Sequence, residues 1–264
     1  IVALLLISAT RGYGANAITP IALQFSPTLR PPGNDYWKYL RTPTIDNQGN
    51  VTFRAFVDAE QFDGGVNSAY RTSSDRFIAR VGEQVPGLAT GVHFQSLTNL
   101  QANPQGPAAF MGQVTLASRQ AKGIWAENTD GSLRLVALDG TEPPGVPAGA
   151  TLAPFHDPVA DNSQQSSVRP PPFTINARGE TTFYARLNSP DAPLSSAGIW
   201  TEGGGRGLRL VARTGAEVPQ FAPGAKIYDF EMRFPSIIPL NERGVSAFVA
   251  RLEGPGISDA GSLG

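Results

Sequence analysis

The chain of 264 residues contains no cysteine, which excludes disulfide staples and thiolate metal centres and says nothing positive about redox compartment. It has only two histidines, His93 and His156, too few for a multi-histidine metal site. Charge is scarce as well. Basic residues number 21 and acidic residues 22, for a formal net charge of −1 and a charged fraction of 16%. That balance leaves no electrostatic footprint for nucleic acid or an anionic membrane surface. The sequence also lacks a Ser-His-Asp order, a P-loop, a dinucleotide fingerprint and any long stretch with helical apolar period. No cofactor and no metal are expected.

Turn formers fill the space left by charge, with 29 Gly and 23 Pro. Many turns, few charges and no helical period predict an all-β chain. Within it one stretch recurs: DNQGNVTFRAFV from Asp46, NPQGPAAFMGQV from Asn103, NARGETTFYARL from Asn176 and NERGVSAFVARL from Asn241. Each has Asn or Asp, a Gly three residues later and a Phe four residues after that. A repeat at this spacing has to be read before any other feature, because it sets the architecture.

Each repeat contains four apolar segments. The first precedes the Asn or Asp: Tyr36–Ile45, Val92–Leu100, a weaker one near Phe173–Ile175, and Ile227–Leu240. The second follows the Gly. The third ends in an aromatic, Ser68-Ala69-Tyr70, Gly123-Ile124-Trp125 and Gly198-Ile199-Trp200. The fourth opens on an arginine, at Arg76, Arg134 and Arg209. From the repeat Gly to the aromatic is 21, 19 and 21 residues, and to the fourth segment 28, 29 and 31. Phe53, Ala55 and Val57 alternate onto one face, as do Phe183, Ala185 and Leu187, the period of a strand. Leu135-Val136-Ala137 and Leu210-Val211-Ala212 are instead continuous apolar runs, predicting a strand covered on both faces. The Asn-x-x-Gly steps are hairpin chemistry, since Asn and Gly tolerate positive φ.

Four short strands per unit with both faces covered predict a β-propeller-like tandem repeat, with a duplicated β-sandwich or solenoid as the alternative. The units span about 21–87, 92–145, 151–224 and 225–264, the last incomplete. Three units and part of a fourth fall short of a ring of about 4–8 blades, so the chain is expected to be a piece of a longer protein. Asn103-x-x-Gly106-x-x-Ala109-Phe110 and Asn241-x-x-Gly244-x-x-Ala247-Phe248 resemble the repeat of bacterial exported "choice-of-anchor" NxxGxxAF proteins. Asp46 in place of Asn, and Thr52 and Thr182 in place of Ala, depart from that pattern. The resemblance implies a secreted or surface-anchored, propeller-like repeat protein, and it carries no catalytic residues.

Residues 1–9 (IVALLLISA) form an apolar run too short to span a bilayer, followed by Ala15-Asn16-Ala17, a small-x-small cleavage signature. Residues 1–17 are accordingly read as the remnant of a signal peptide and left out of the repeat domain, 18–264, with no membrane span in the mature chain. The expected location is extracellular or cell-surface, with the periplasm as the alternative.

Function is sought where the repeats differ. Between the Gly closing one unit and the next Asn lie 16, 31 and 17 residues. The long interval holds His156, Asp157, Asp161 and Asn162 within 152–172, and long insertions on a rigid scaffold concentrate binding. The expected partner is a polysaccharide or a surface protein. The alternative is a secreted glycan-active hydrolase or lyase using Asp229 and Glu231, carboxylates at i and i+2 of one strand. Arg76, Arg134 and Arg209, with Arg80 and Arg213 four residues further on, are read as strand-edge charges paired with local acids, or as a basic ladder for an anionic glycan.

Overall fold

The computed structural model describes residues 3–8, 17–23, 36–58, 66–71, 76–117, 119–155, 173–188, 196–218, 221–230, 238–255 and 257. Among them there is no helix. The strands are β1 (Ala3–Ser8), β2 (Ala17–Leu23), β3 (Tyr36–Ile45), β4 (Val51–Asp58), β5 (Val66–Arg71), β6 (Arg76–Arg80), β7 (Phe94–Ala102), β8 (Ala108–Leu116), β9 (Arg119–Glu127), β10 (Leu133–Leu138), β11 (Thr151–Leu152), β12 (Phe173–Ile175), β13 (Thr181–Asn188), β14 (Ala197–Thr201), β15 (Arg209–Arg213), β16 (Lys226–Phe230) and β17 (Ala250–Glu253).

They form a succession of antiparallel meanders. Sheet one is β3-β4-β5-β6 and sheet two is β7-β8-β9-β10. In sheet three β11 and β12 both pair with β13, which continues to β14 and β15, and in sheet four β16 pairs with β17. The fold is thus a tandem all-β repeat, three four-stranded units and part of a fourth.

The Asn-x-x-Gly motif builds the same turn four times. The Gly amide bonds the carbonyl of Asp46, Asn103, Asn176 or Asn241 at 3.1, 2.9, 3.0 and 3.0 Å. The Asn or Asp side-chain oxygen accepts the amide two residues on, at 2.9, 2.8, 3.0 and 2.9 Å. The glycines sit at φ 88°, 132°, 75° and 77°, the left-handed region that a side chain disfavours. This geometry fixes the register that pairs each motif Phe with an aromatic across the sheet: Phe53 with Tyr70, Phe110 with Trp125, and Phe183 with Trp200.

Those aromatics define one face of each sheet, the rear, which packs on the front of the sheet before it. Phe94, Phe110 and Trp125 of sheet two bury against Ala69, Ile78 and Ala79 of sheet one. Phe173, Phe183 and Trp200 of sheet three bury against Met111, Ile124 and Ala126 of sheet two. Ile227, Phe230 and Phe248 of sheet four meet Tyr184, Ala197 and Ile199 of sheet three. Each fully buried Phe contributes about 1.5–3 kcal/mol, so the interfaces between sheets are the core of the molecule. The third segment needs Gly two residues before Trp because the indole folds back over that position. A Cβ on Gly123 or Gly198 would lie 2.7 or 2.6 Å from its ring.

The continuous apolar runs have a specific cause. Each fourth strand bulges, with register skipping Ile78, Val136 and Val211. A bulge puts an extra residue out of alternation. Ile78 and Val136 are buried, but Val211 is exposed, so the expected cover on both faces fails at β15.

Ahead of the repeat domain, β1 pairs antiparallel with β2, Ile7 opposite Ile18. An apolar run that suits a leader also has strand propensity, and β2 supplies a partner for its backbone groups. Ile21 and Ala22 of β2 pack on Trp37, Phe53 and Tyr70 at the rear of sheet one.

Candidate functional site

The first strand of every unit lies at a sheet edge, and in sheets two and three that edge packs on the preceding sheet. β7 packs against β3, β4 and β5, and β12 packs against β7 and β8. Each first strand is irregular opposite the motif Phe. In β3 the register slips between Arg41 and Thr44, opposite Phe53, and in β7 between Thr98 and Gln101, opposite Phe110. Asn99, inside the second slip, has φ 51°.

Sheet three expands the slip into an insertion. Its first strand is not confined to Phe173–Ile175 but is split. Thr151 and Leu152 pair with Asn188 and Leu187, the Ala153 amide bonds the Arg186 carbonyl at 2.9 Å, and pairing resumes with Phe173 opposite Phe183. In sheet four Phe230 lies opposite Ala250 and the next described pairing is the bridge between Leu240 and Ser246. Segment 154–172 is the long interval that sets sheet three apart. The candidates His156, Asp157, Asp161 and Asn162 of that segment, and Glu231, lie outside the described residues.

Asp229 is the penultimate residue of β16. It lies opposite Arg251 in β16, and its carboxylate accepts the Phe230 amide at 2.8 Å. β16 ends at Phe230, so the described strand does not extend to the i and i+2 carboxylate pair. Tyr184 packs beside it, its ring 6.1 Å from that of Phe230, and burial raises its phenol above the usual value, with the Asp229 charge adding to the effect. His93 serves a turn instead, its Nδ1 2.8 Å from the Gly82 carbonyl.

Of the arginines, Arg76 and Arg134 engage acids of the next sheet rather than local ones. Arg76 of sheet one reaches Glu127 Oε1 at 3.1 Å and the Gly131 carbonyl at 3.0 Å. Arg71 pairs with Glu127 Oε2 at 2.5 Å and also bonds the Gly106 carbonyl. Arg134 of sheet two meets Glu202 at 2.5 and 3.0 Å and the Gly179 carbonyl at 2.7 Å. Each glutamate in turn accepts the amide that opens its own second strand, Ala108 at 2.9 Å and Thr181 at 3.0 Å. Burial pushes the Glu127 carboxyl above the ordinary carboxylate range, while Arg71, the Ala108 amide and Arg76 pull it back in part. Arg209 turns onto the Gly203 carbonyl of its own sheet, Arg80 stacks 4.4 Å over Phe77, and Arg213 lies opposite Gly198 in the ladder.

Two further links repeat beside this clasp. The Trp125 and Trp200 indoles donate to the Pro86 and Pro144 carbonyls of the preceding unit at 3.1 and 3.0 Å. The motif turns touch in a column: Asn47 N to Pro104 O at 2.6 Å, then Asn103 and Asn176 Nδ2 to the Ile175 and Asn241 carbonyls, both at 3.1 Å. Glu127 and Glu202 had been passed over in the sequence. Their signal was present, a Glu two residues after each Trp.

Among the described residues, no group of three or more His, Cys, Asp or Glu is placed to hold a metal ion, and no helix is long and apolar enough to cross a membrane. The site that remains is the first-strand edge of sheet three, interrupted between Ala153 and Phe173.

No curated protein and no solved structure matches the chain. A family model matches it twice in succession, over residues 18–143 and 146–264, each match taking in the first strand, the motif turn and the strand after it of two successive units. The chain belongs to the family of unknown function DUF7453.

Proposed function

We propose that this chain is an exported, surface-located scaffold of propeller type that binds a polysaccharide or a surface protein through the insertion of sheet three. The observation that carries the reading is where that insertion sits: the first strand of sheet three is interrupted between Ala153, bonded to Arg186, and Phe173, opposite Phe183, beside the position at which sheets one and two add a single residue to the register. The Arg134–Glu202 ion pair and the Trp200 indole hydrogen bond hold sheet three to sheet two, the kind of support on which loops carry recognition. His156, Asp157, Asp161 and Asn162 supply donors and acceptors for hydroxyl groups or peptide. Export is supported by the apolar run ahead of Ala15-Asn16-Ala17 and by a family match that starts at residue 18.

The test replaces 156–172 by a short Gly-Ser connection, which keeps the buried Phe155. Binding to a panel of soluble polysaccharides and to surface-protein extract is followed by affinity electrophoresis and biolayer interferometry. The expected result is an unchanged thermal transition with binding lost. Binding that survives the replacement overturns the assignment of the site. Export is checked separately: the secreted chain should begin at Ile18.

A further inference from the structure

The motif turn and the motif Phe recur because packing demands them. Three residues after the Phe that demand stops: the same position holds Phe56 in sheet one, Gln113 in sheet two and Arg186 in sheet three. An odd offset from a rear-facing residue puts all three on the front of their sheets. Phe56 stands opposite Tyr39, Gln113 opposite Ser96, and the Arg186 carbonyl accepts the Ala153 amide. Tyr39 and Ser96 each follow directly on a bulge of the first strand, between Trp37 and Tyr39 and between Phe94 and Ser96, a device that re-aims a side chain. In sheet three the same level is the root of the insertion.

Each sheet offers different chemistry there. The Tyr39 ring is 44% exposed, edge-on to Phe56 at 5.9 Å, with the Arg41 guanidinium 5.9 Å over it. It is a flat surface fixed in place and open to solvent. In sheet two the Gln113 amide donates to Gln120 Oε1 at 2.8 Å and the Ser96 hydroxyl to Gln113 Oε1 at 3.4 Å, and Gln120 is exposed. In sheet three Arg186 is exposed, and its guanidinium interacts with the half-buried phenol of Tyr184, two residues earlier on the same face. Arg71, Arg76 and Arg134 end on glutamates of the next sheet, whereas Arg186 ends at a phenol and solvent.

Packed sheets lie about 10 Å apart, so the three positions make a row roughly 20 Å long that ends beside the insertion. A sugar unit presents an apolar face of C–H groups and a rim of hydroxyls. A fixed aromatic ring takes the first, and amides and hydroxyls take the second. A guanidinium takes a carboxylate with two parallel bonds. No Leu, Ile, Val or Met stands at these positions, unlike the apolar core of a protein–protein interface. We infer that the row is a track for an acidic polysaccharide, with Tyr39 stacking on one sugar unit, Gln113 and Gln120 bonding the hydroxyls of a second, and Arg186 holding a uronate carboxylate beside the insertion. This names the ligand class for the binding reading above and rests on it.

The test is isothermal titration calorimetry of the whole chain with alginate and polygalacturonate as acidic probes and dextran as the neutral one, at low and high salt. The wild type should bind an acidic probe in preference to dextran, and more weakly as salt rises. Tyr39→Ala should lower that affinity about tenfold, and Tyr39→Phe should restore it. Arg186→Gln should reduce both the preference over dextran and the salt dependence. Both positions are exposed, so the thermal transition should stay in place. A wild type that binds neither acidic probe overturns the proposal, as does binding that neither Tyr39→Ala nor Arg186→Gln changes. Replacement of 156–172 separates the two readings. Binding lost on replacement but untouched by the two substitutions leaves the insertion and removes the row; binding that follows the substitutions and survives the replacement leaves the row and removes the insertion.

Discussion

The boundary between sheets one and two and that between sheets two and three use one socket with different charge. Glu127 is wholly buried and takes two guanidiniums, from Arg71 and Arg76. Glu202 keeps 14% of its side chain exposed and takes one, from Arg134, with the Thr181 hydroxyl as a further donor at 2.7 Å. The difference follows from desolvation, which grows with burial and has to be offset by closer opposite charge and hydrogen bonds. At the third boundary the described contacts are the motif turns, with Asn176 Nδ2 on the Asn241 carbonyl and the Ala177 amide on Glu242, the Thr174 hydroxyl on the Ile238 carbonyl, and the apolar contacts of Ile227, Phe230 and Phe248.

The sharpest way to break this comparison is to empty the sockets. Glu127→Ala leaves Arg71 buried without its partner and should cost about 3–5 kcal/mol in denaturant unfolding. Glu202→Ala should cost about half as much, since solvent reaches Arg134. Equal losses would show that burial does not set the difference. Next in size is Gly198→Ala, whose Cβ would press on the Trp200 indole at 2.6 Å. Overpacking there should cost about 1–3 kcal/mol in the thermal transition. The motif turns come after it. Asn176→Ala removes its own turn bonds and the bond to the Asn241 carbonyl and should cost about 1–2 kcal/mol, whereas Asn241→Ala loses turn bonds alone and should cost about 0.5–1. Chemical denaturation of the two variants side by side reads the contribution of the column.

The smallest effect is one of pH. Burial raises the Glu180 carboxyl, but hydrogen bonds from Asn176, Arg178 and the Gly205 amide outweigh it and hold the group below its ordinary value. A folded value below the unfolded one stabilises the fold above the unfolded value, about 4.3 for Glu, and the benefit disappears as pH falls through the folded value. Thermal transitions of wild type and Glu180→Gln should be separated at neutral pH and converge on acidification. A gap that stays constant would remove the carboxylate from the account.

Much of the frame was legible in the chain. The Asn-x-x-Gly turns, the motif Phe and the Gly-Ile-Trp segment obey local rules, positive φ at glycine and alternation along a strand, and local rules survive without a fold. The apolar run of β15 departs from the expected cover on both faces because a bulge and a strand covered on both faces give the same string. For Arg76 and Arg134 the acids lie 51 and 68 residues away, a distance that no periodicity reveals. The insertion of sheet three was visible as length, but its root was not. It emerged once Phe173 was seen opposite Phe183 and Leu152 opposite Leu187.

The sequence by itself determined that this protein is a tandem all-β repeat, where its turns fall and which residues alternate inward, since backbone conformation and strand period are properties of neighbouring residues. Only the tertiary structure decided that Arg71, Arg76 and Arg134 clasp the next sheet and that the Trp125 and Trp200 indoles bond the preceding unit. Those are relations between units, and they exist only when one sheet is laid against another.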